Sequence, residues 1–251
     1  MYSAQTFTFT GGIEIFFTDS GAPPSTDYTT LLIFHGHAFT GDVFHGLHDH
    51  VRGQNLRAVI WNRREYPGST KYTDSEADDL TNGRKIFLDQ TAALIADFLV
   101  QFIEKEGIPE ISPDHKHGGV AILGWSLGTP TALSLFSNPS AFPSKQYALL
   151  RRYVKNLIIY DAPALSFGYD DLPPVPNLYT PFTHPDNKSA EEVYNHFALW
   201  TTSFFHHDLS KGIYGLDTRK YTEQNMFQVW PTEQKEKIFC PSAAIRVDNR
   251  M

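Results

Sequence analysis

The sequence predicts an α/β protein: a mostly parallel sheet with an N-terminal antiparallel hairpin and flanking helices. Three observations carry that expectation. Thr6 to Asp19 alternates apolar and polar residues around Gly11-Gly12, the pattern of a hairpin with one solvated face. Leu31-Leu32-Ile33-Phe34, Ala58-Val59-Ile60-Trp61, Val120-Ala121-Ile122-Leu123 and Leu157-Ile158-Ile159-Tyr160 are short and continuously apolar, as strands covered on both faces must be. Between the second and third runs, Phe87, Leu94, Ile95, Phe98, Leu99, Phe102 and Ile103 recur at helical spacing. Lys105 sits in the last turn of that helix, and Gly107 and Pro109 stop it. Strands alternating with helices imply parallel pairing through right-handed crossovers.

After Ala164 the composition changes. Pro163, Pro173, Pro174, Pro176 and Pro181 read as an extended linker. A helix then opens at Ser189, with Glu192 placed for a capping box and Val193, Phe197, Trp200 and Phe204 on its face. Further helices are expected over 222–230 and after Pro231. The division is therefore a core over 1–167, strands one to six, followed by a helical lid or cap over 168–251. Ala243 to Asp248 reads as the start of a seventh strand.

Bulk properties exclude several classes. With 41% hydrophobic and 20% charged residues the chain is ordinary globular material, and 251 residues suit one core with an appendage. A formal charge of -7 argues against nucleic acid as the partner, because binding a phosphate backbone requires clustered Lys and Arg. The N-terminus lacks a signal-like pattern and no stretch approaches a membrane span, so a cytoplasmic protein is expected. Cys240 is the lone cysteine and has no metal-like spacing. His45-Gly46-Leu47-His48-Asp49-His50 comes close to a metal-binding pattern, but Leu47 stands where a second ligand is needed, so no metal or other cofactor is expected. Oligomeric state is not legible.

The chemistry concentrates in three ordered motifs. Gly124-Trp125-Ser126-Leu127-Gly128 lies between a buried strand and a helix, the context in which small flanking residues let a serine project from a tight corner. Phe34-His35-Gly36-His37-Ala38-Phe39 follows the first apolar strand, and Asn62-Arg63-Arg64-Glu65-Tyr66-Pro67-Gly68-Ser69 follows the next. Together, over about residues 5 to 165, they resemble the α/β-hydrolase superfamily, which has an HG-x loop after its third strand, an R-G-Y-G-x-S-like loop after its fourth and a nucleophile elbow after its fifth. Glu65 stands where that family usually has glycine. The resemblance implies Ser126 as nucleophile and the backbone N–H groups of His37 and Leu127 as oxyanion donors. A serine at the elbow disfavours the aspartate-based dehalogenases and epoxide hydrolases.

The family's chain order is serine, acid, histidine. Downstream of Ser126 the histidines are His184, His196, His206 and His207, none of which follows a strand-like run. The expectation is a chain that stops short of the family's last strands and catalytic histidine. Asp161, after the run ending at Tyr160, is a candidate acid, and Asp248 a weaker one. The leading expectation is a serine hydrolase acting on a small apolar or ester-type substrate. The alternative is a truncated or degenerate member that binds an apolar small molecule without turnover. A third option recruits His206 or His207 as base.

Overall fold

The computed structural model describes residues 2–169, 179–182, 184, 185 and 187–250. Strands β1 (Ser3–Phe9) and β2 (Ile13–Asp19) form the expected hairpin, and Gly11 and Gly12 take φ of 79° and 75°, a left-handed turn that favours glycine. The four apolar runs all become strands: β3 (Thr29–Phe34), β4 (Leu56–Trp61), β5 (Val120–Trp125) and β6 (Val154–Tyr160). Between them run helices α1 (Leu47–Val51), α2 (Asp74–Thr81), α3 (Lys85–Glu106), α4 (Gly128–Ser137) and α5 (Ser144–Leu150). The sheet order is β1-β2-β4-β3-β5-β6; β2 meets β4 antiparallel, and β4, β3, β5 and β6 are mutually parallel. The chain has the α/β-hydrolase fold.

Register puts the three motifs together. Phe34 pairs with both Trp61 and Gly124, so the loops after β3 and β4 and the turn after β5 leave the same edge of the sheet side by side. The main core lies on one face, where Phe17, Leu32, Phe34, Val59, Trp61 and Ile122 pack against Ile95, Phe98, Leu99 and Phe102 of α3. Gly107 ends α3 in the left-handed conformation, φ 61°, as its position implied. The expectation that no segment reaches spanning length needs correcting, because α3 is 22 residues and apolar enough to cross a membrane by length and composition alone. Here its apolar stripe is spent on the sheet.

A second cluster forms over the carboxyl edge of the sheet. Helices α6 (Ala190–Thr201), α7 (Met226–Val229), α8 (Thr232–Ile238) and α9 (Pro241–Arg246) bring Tyr194, Phe197, Ile238, Phe239 and Ala244 onto Ala38 and Phe39 of the loop after β3. Ser189 and Glu192 make the reciprocal capping box predicted for α6. Two expectations fail. The helix expected over 222–230 shrinks to α7, because Asn225 bridges Ser203 and the Met226 N–H donates to Thr202 O, so residues 222–225 pair with the chain leaving α6. The expected start of a seventh strand at Ala243–Asp248 is instead α9 and the turn after it. Pro241 opens the helix at its first position, and the helix's own Ala243 and Ala244 are fully buried. Pro173, Pro174 and Pro176 of the expected linker lie outside the described residues.

Candidate active site

Ser126 takes φ 48° at the junction of β5 and α4, a left-handed conformation that a side-chain-bearing residue adopts only when its surroundings enforce it. Its N–H donates to Tyr160 O at 2.9 Å, tying the corner to β6, and its carbonyl accepts from the Thr129 N–H at 2.9 Å. The flanking glycines are steric requirements. A Cβ on Gly124 would sit 2.7 Å from Thr129 Cα, and one on Gly128 would sit 2.3 Å from Phe34 O. Gly36 is the third close approach, since a Cβ there would lie 3.1 Å from Ser126 Cβ. The HG loop and the serine are therefore in contact. Ser126 and Leu127 are half-buried, and among the described residues neither the His37 nor the Leu127 N–H donates to a protein acceptor. The N-terminus of α4 directs its positive dipole end to the same place.

His35 serves the loop. It is fully buried, its Nε2 accepts from the Arg63 N–H at 3.0 Å, and its Nδ1 lies 3.1 Å from Gly36 O and so carries the proton. Burial, reinforced by the Arg63 charge, pushes its imidazole down to about 3. Glu65, in the family's glycine position, has φ 79°, which is the conformation a glycine there would supply freely. Its carboxylate accepts from the Tyr72 N–H at 3.0 Å and pairs with Arg246 of α9 at 2.6 Å. The departure from the family pattern thus comes with its own partner.

The loop's remaining fastening comes from the C-terminal segment. Ala38, at φ 60°, donates its N–H to Asp248 Oδ2 at 3.1 Å, and its carbonyl accepts from the Cys240 N–H at 2.8 Å. Thr40 N–H donates to Ile238 O at 2.8 Å. Asp248 is buried and also meets Arg63 at 2.9 Å and the Tyr66 hydroxyl. Burial alone would raise its carboxyl, but Arg63, His37, Tyr66 and the Ala38 N–H outweigh that and hold it below the usual carboxylate range. His37 Nδ1 is 3.8 Å from Asp248 Oδ2, and its ring stands edge-on to Phe182 and Phe197 with centroids 5.2 and 4.5 Å away. Burial pushes the His37 imidazole below its ordinary value against the pull of Asp248. Sequence reasoning missed this cluster. Two arginines just past a buried strand were the available signal, because a buried guanidinium requires an anion.

Asp161 follows β6 at φ 50° and is exposed. Register sets it beside Ser126, because Trp125 pairs with Tyr160. Among the described residues the histidines that pair with aspartates meet Asp248, Asp42 and Asp27, not Asp161. His206 and His207 are exposed, and His207 Nδ1 accepts from the Asp217 N–H at 2.9 Å. His45, His48 and His50 diverge to Asp42, Thr18 and Gly46 O respectively. Among the described residues no group of three or more His, Cys, Asp or Glu could hold a metal ion.

No family model matches this chain, and no curated relative matches it by sequence. Solved structures resemble it. A thioesterase domain from the curacin biosynthetic pathway is 17% identical with a TM-score of 0.41, covering 65% of this chain and 47% of its own. A mutant of the N-acyl homoserine lactonase AidH complexed with N-hexanoyl homoserine is 14% identical with a TM-score of 0.45, covering 94% and 70%. The epoxide hydrolase CorEH is 14% identical with a TM-score of 0.45, covering 82% and 62%. The chain spans less than half the length of the first of these. Strand order and the corner at Ser126, rather than these scores, assign the fold.

Proposed function

Starting from an α/β-hydrolase fold, we propose that this protein is a serine hydrolase acting on an ester or related carboxylic derivative through an acyl-enzyme on Ser126. The observation that carries the reading is the left-handed corner that holds Ser126 against Gly36, with the His37 and Leu127 amides left without acceptors among the described residues. Attack of Ser126 Oγ on a carbonyl carbon develops negative charge on the carbonyl oxygen. Two fixed N–H donors aimed at that oxygen are each worth on the order of 3 kcal/mol in the transition state. Asp161, one residue past β6, is the acid candidate on the neighbouring strand. Helices α6 to α9 act as the lid in this reading, with Phe197 turning an apolar ring toward His37 and suiting an apolar acyl or alcohol group.

A fluorophosphonate probe tests the proposal. The folded protein should be labelled, and Ser126→Ala should abolish the labelling. Absence of labelling in well-folded wild-type protein would count against it. A second reading, a non-catalytic member that binds an apolar small molecule, is favoured by one observation: among the described residues no histidine hydrogen-bonds Ser126. Turnover of a p-nitrophenyl ester that is lost in Ser126→Ala would exclude it.

A further inference from the structure

We infer that a cavity walled by the hairpin turn, the loop after β4 and α3 is a binding site for a small, uncharged carbonyl compound with an apolar body, separate from Ser126. The cavity measures about 240 Å³, below the range of about 300–1,000 Å³ usual for drug-sized ligands, so its occupant is small. Phe9, Ile13, Phe87 and Leu94 supply apolar wall, and the exposed Thr10 and Gln90 in its lining give it a route to solvent. Gly36, Ser126 and Leu127 do not line it.

Three of the lining residues carry donors that find no acceptor among the described residues. Trp61 is 2% exposed, and its Nε1–H is buried with no hydrogen-bond partner. Arg63 is 5% exposed; its guanidinium hydrogen bonds, to Gly36 O, Tyr66 and Asp248, all use Nη2, and its buried Nε has no partner. The Tyr72 hydroxyl makes no hydrogen bond among the described residues, and burial pushes its phenol up to about 12, which keeps the proton on it. Neither Trp61 nor Arg63 is free to turn elsewhere. The indole stands edge-on to Phe34 and Phe98 with centroids 5.0 and 4.7 Å away, and Asp248 holds Arg63 at 2.9 Å. Buried donors without acceptors are rare enough to require an explanation. Indole and guanidinium N–H groups only donate, so the partner they lack is an acceptor.

Charge decides what kind of acceptor fits. Arg63 and Arg64 are balanced by Asp248 and Glu76, and Asp97, which accepts from Gln146 at 2.7 Å, adds a further carboxylate to the lining. The site therefore has donors to spare but no positive charge to spare. That disfavours a carboxylate or phosphate, whose burial needs an unspent cation, and favours the oxygen of an amide, ketone or lactone. The aromatic wall of Phe9, Trp61, Tyr72 and Phe87 suits a flat apolar body.

Nuclear magnetic resonance titration of the isotope-labelled full chain with phenylacetamide, phenylacetate and ethylbenzene tests the inference. The chain has four tryptophans, so its indole N–H region is simple, and Trp61→Phe identifies the Trp61 signal. Phenylacetamide should shift that signal saturably. Ethylbenzene, which has no oxygen, and phenylacetate, which adds a charge, should each bind at least about 10-fold more weakly. Ala93→Phe, which fills the cavity, should abolish the shift, and Leu94→Phe, a smaller change in volume with less risk of misfolding, should weaken it. Ser126→Ala should bind phenylacetamide like wild type. No shift at millimolar phenylacetamide, meaning that water alone answers the donors, overturns the inference. So does equal binding of ethylbenzene, tighter binding of phenylacetate, binding that a folded Ala93→Phe retains, or binding lost in Ser126→Ala. Protein that binds phenylacetamide but is not labelled by a fluorophosphonate would overturn the serine-hydrolase reading and leave this site standing.

Discussion

A methyl group at Gly128 would lie 2.3 Å from Phe34 O and 2.7 Å from His35 O, backbone atoms of a central strand and the loop that leaves it. Neither can yield without disturbing the sheet, so the collision must be relieved by moving the elbow. Gly128→Ala should cost about 1–3 kcal/mol, the usual range for overpacking, and should displace Ser126. Gly53 is the control: a Cβ there meets nothing within 4 Å and no positive φ is required, so Gly53→Ala should be neutral or slightly stabilising. Urea unfolding of both variants measures the difference, and equal midpoints would show the corner to be looser than the distances imply. The elbow was legible because its requirements are local, with strand, corner and helix lying within a few residues of Ser126. The partners of Arg63 were not. Asp248 is 185 residues away along the chain, and no spacing rule connects them.

Elements divide along the same line. Continuous apolar runs identified β3 to β5 because burial on both faces leaves little room for polar residues. The same kind of run identified β6, although as the edge strand of the described sheet it leaves Ile158, Ile159 and Tyr160 exposed. The run at Ala243–Val247 failed as a strand because a short apolar stretch has no period that separates strand from helix, and the overlooked signal was Pro241 at a helix start. That C-terminal segment is held to the core through ion pairs, Arg246 to Glu65 and Asp248 to Arg63, both bridging to the loop after β4. Breaking a buried pair leaves the surviving charge unpaired, so Asp248→Asn should destabilise the fold by about 3–5 kcal/mol. Adding Arg63→Met to that variant should recover part of the loss, because it removes the stranded guanidinium. Chemical denaturation of the single and double variants decides this. A double variant no more stable than Asp248→Asn alone would mean that the segment is held by packing and not by charge.

For the molecule as a whole, the buried histidines make stability a function of pH with a definite sign. His35 titrates at about 3 in the folded protein, against about 6.5 for a histidine in an unfolded chain. Above pH 6.5 it is neutral in both states and its contribution to stability is complete. Below that, the unfolded chain binds a proton that the folded state refuses, and stability falls by about 1.4 kcal/mol per pH unit until the folded value is reached. His37, also lowered by burial, acts in the same direction. Asp248 contributes in a separate, more acid window, its stabilisation being lost only as pH falls from the ordinary carboxylate range through its depressed folded value. Between pH 6.5 and 5, His35 alone should therefore remove about 2 kcal/mol, well before carboxylate protonation begins. Urea unfolding at pH 7, 6 and 5 measures the slope, and a folded His35→Gln variant should lose about one proton's share of it. A stability unchanged between pH 7 and 5 would mean that the loop opens to let His35 take up its proton, so that the contact between Gly36 and Ser126 is not held as rigidly as the active-site geometry requires.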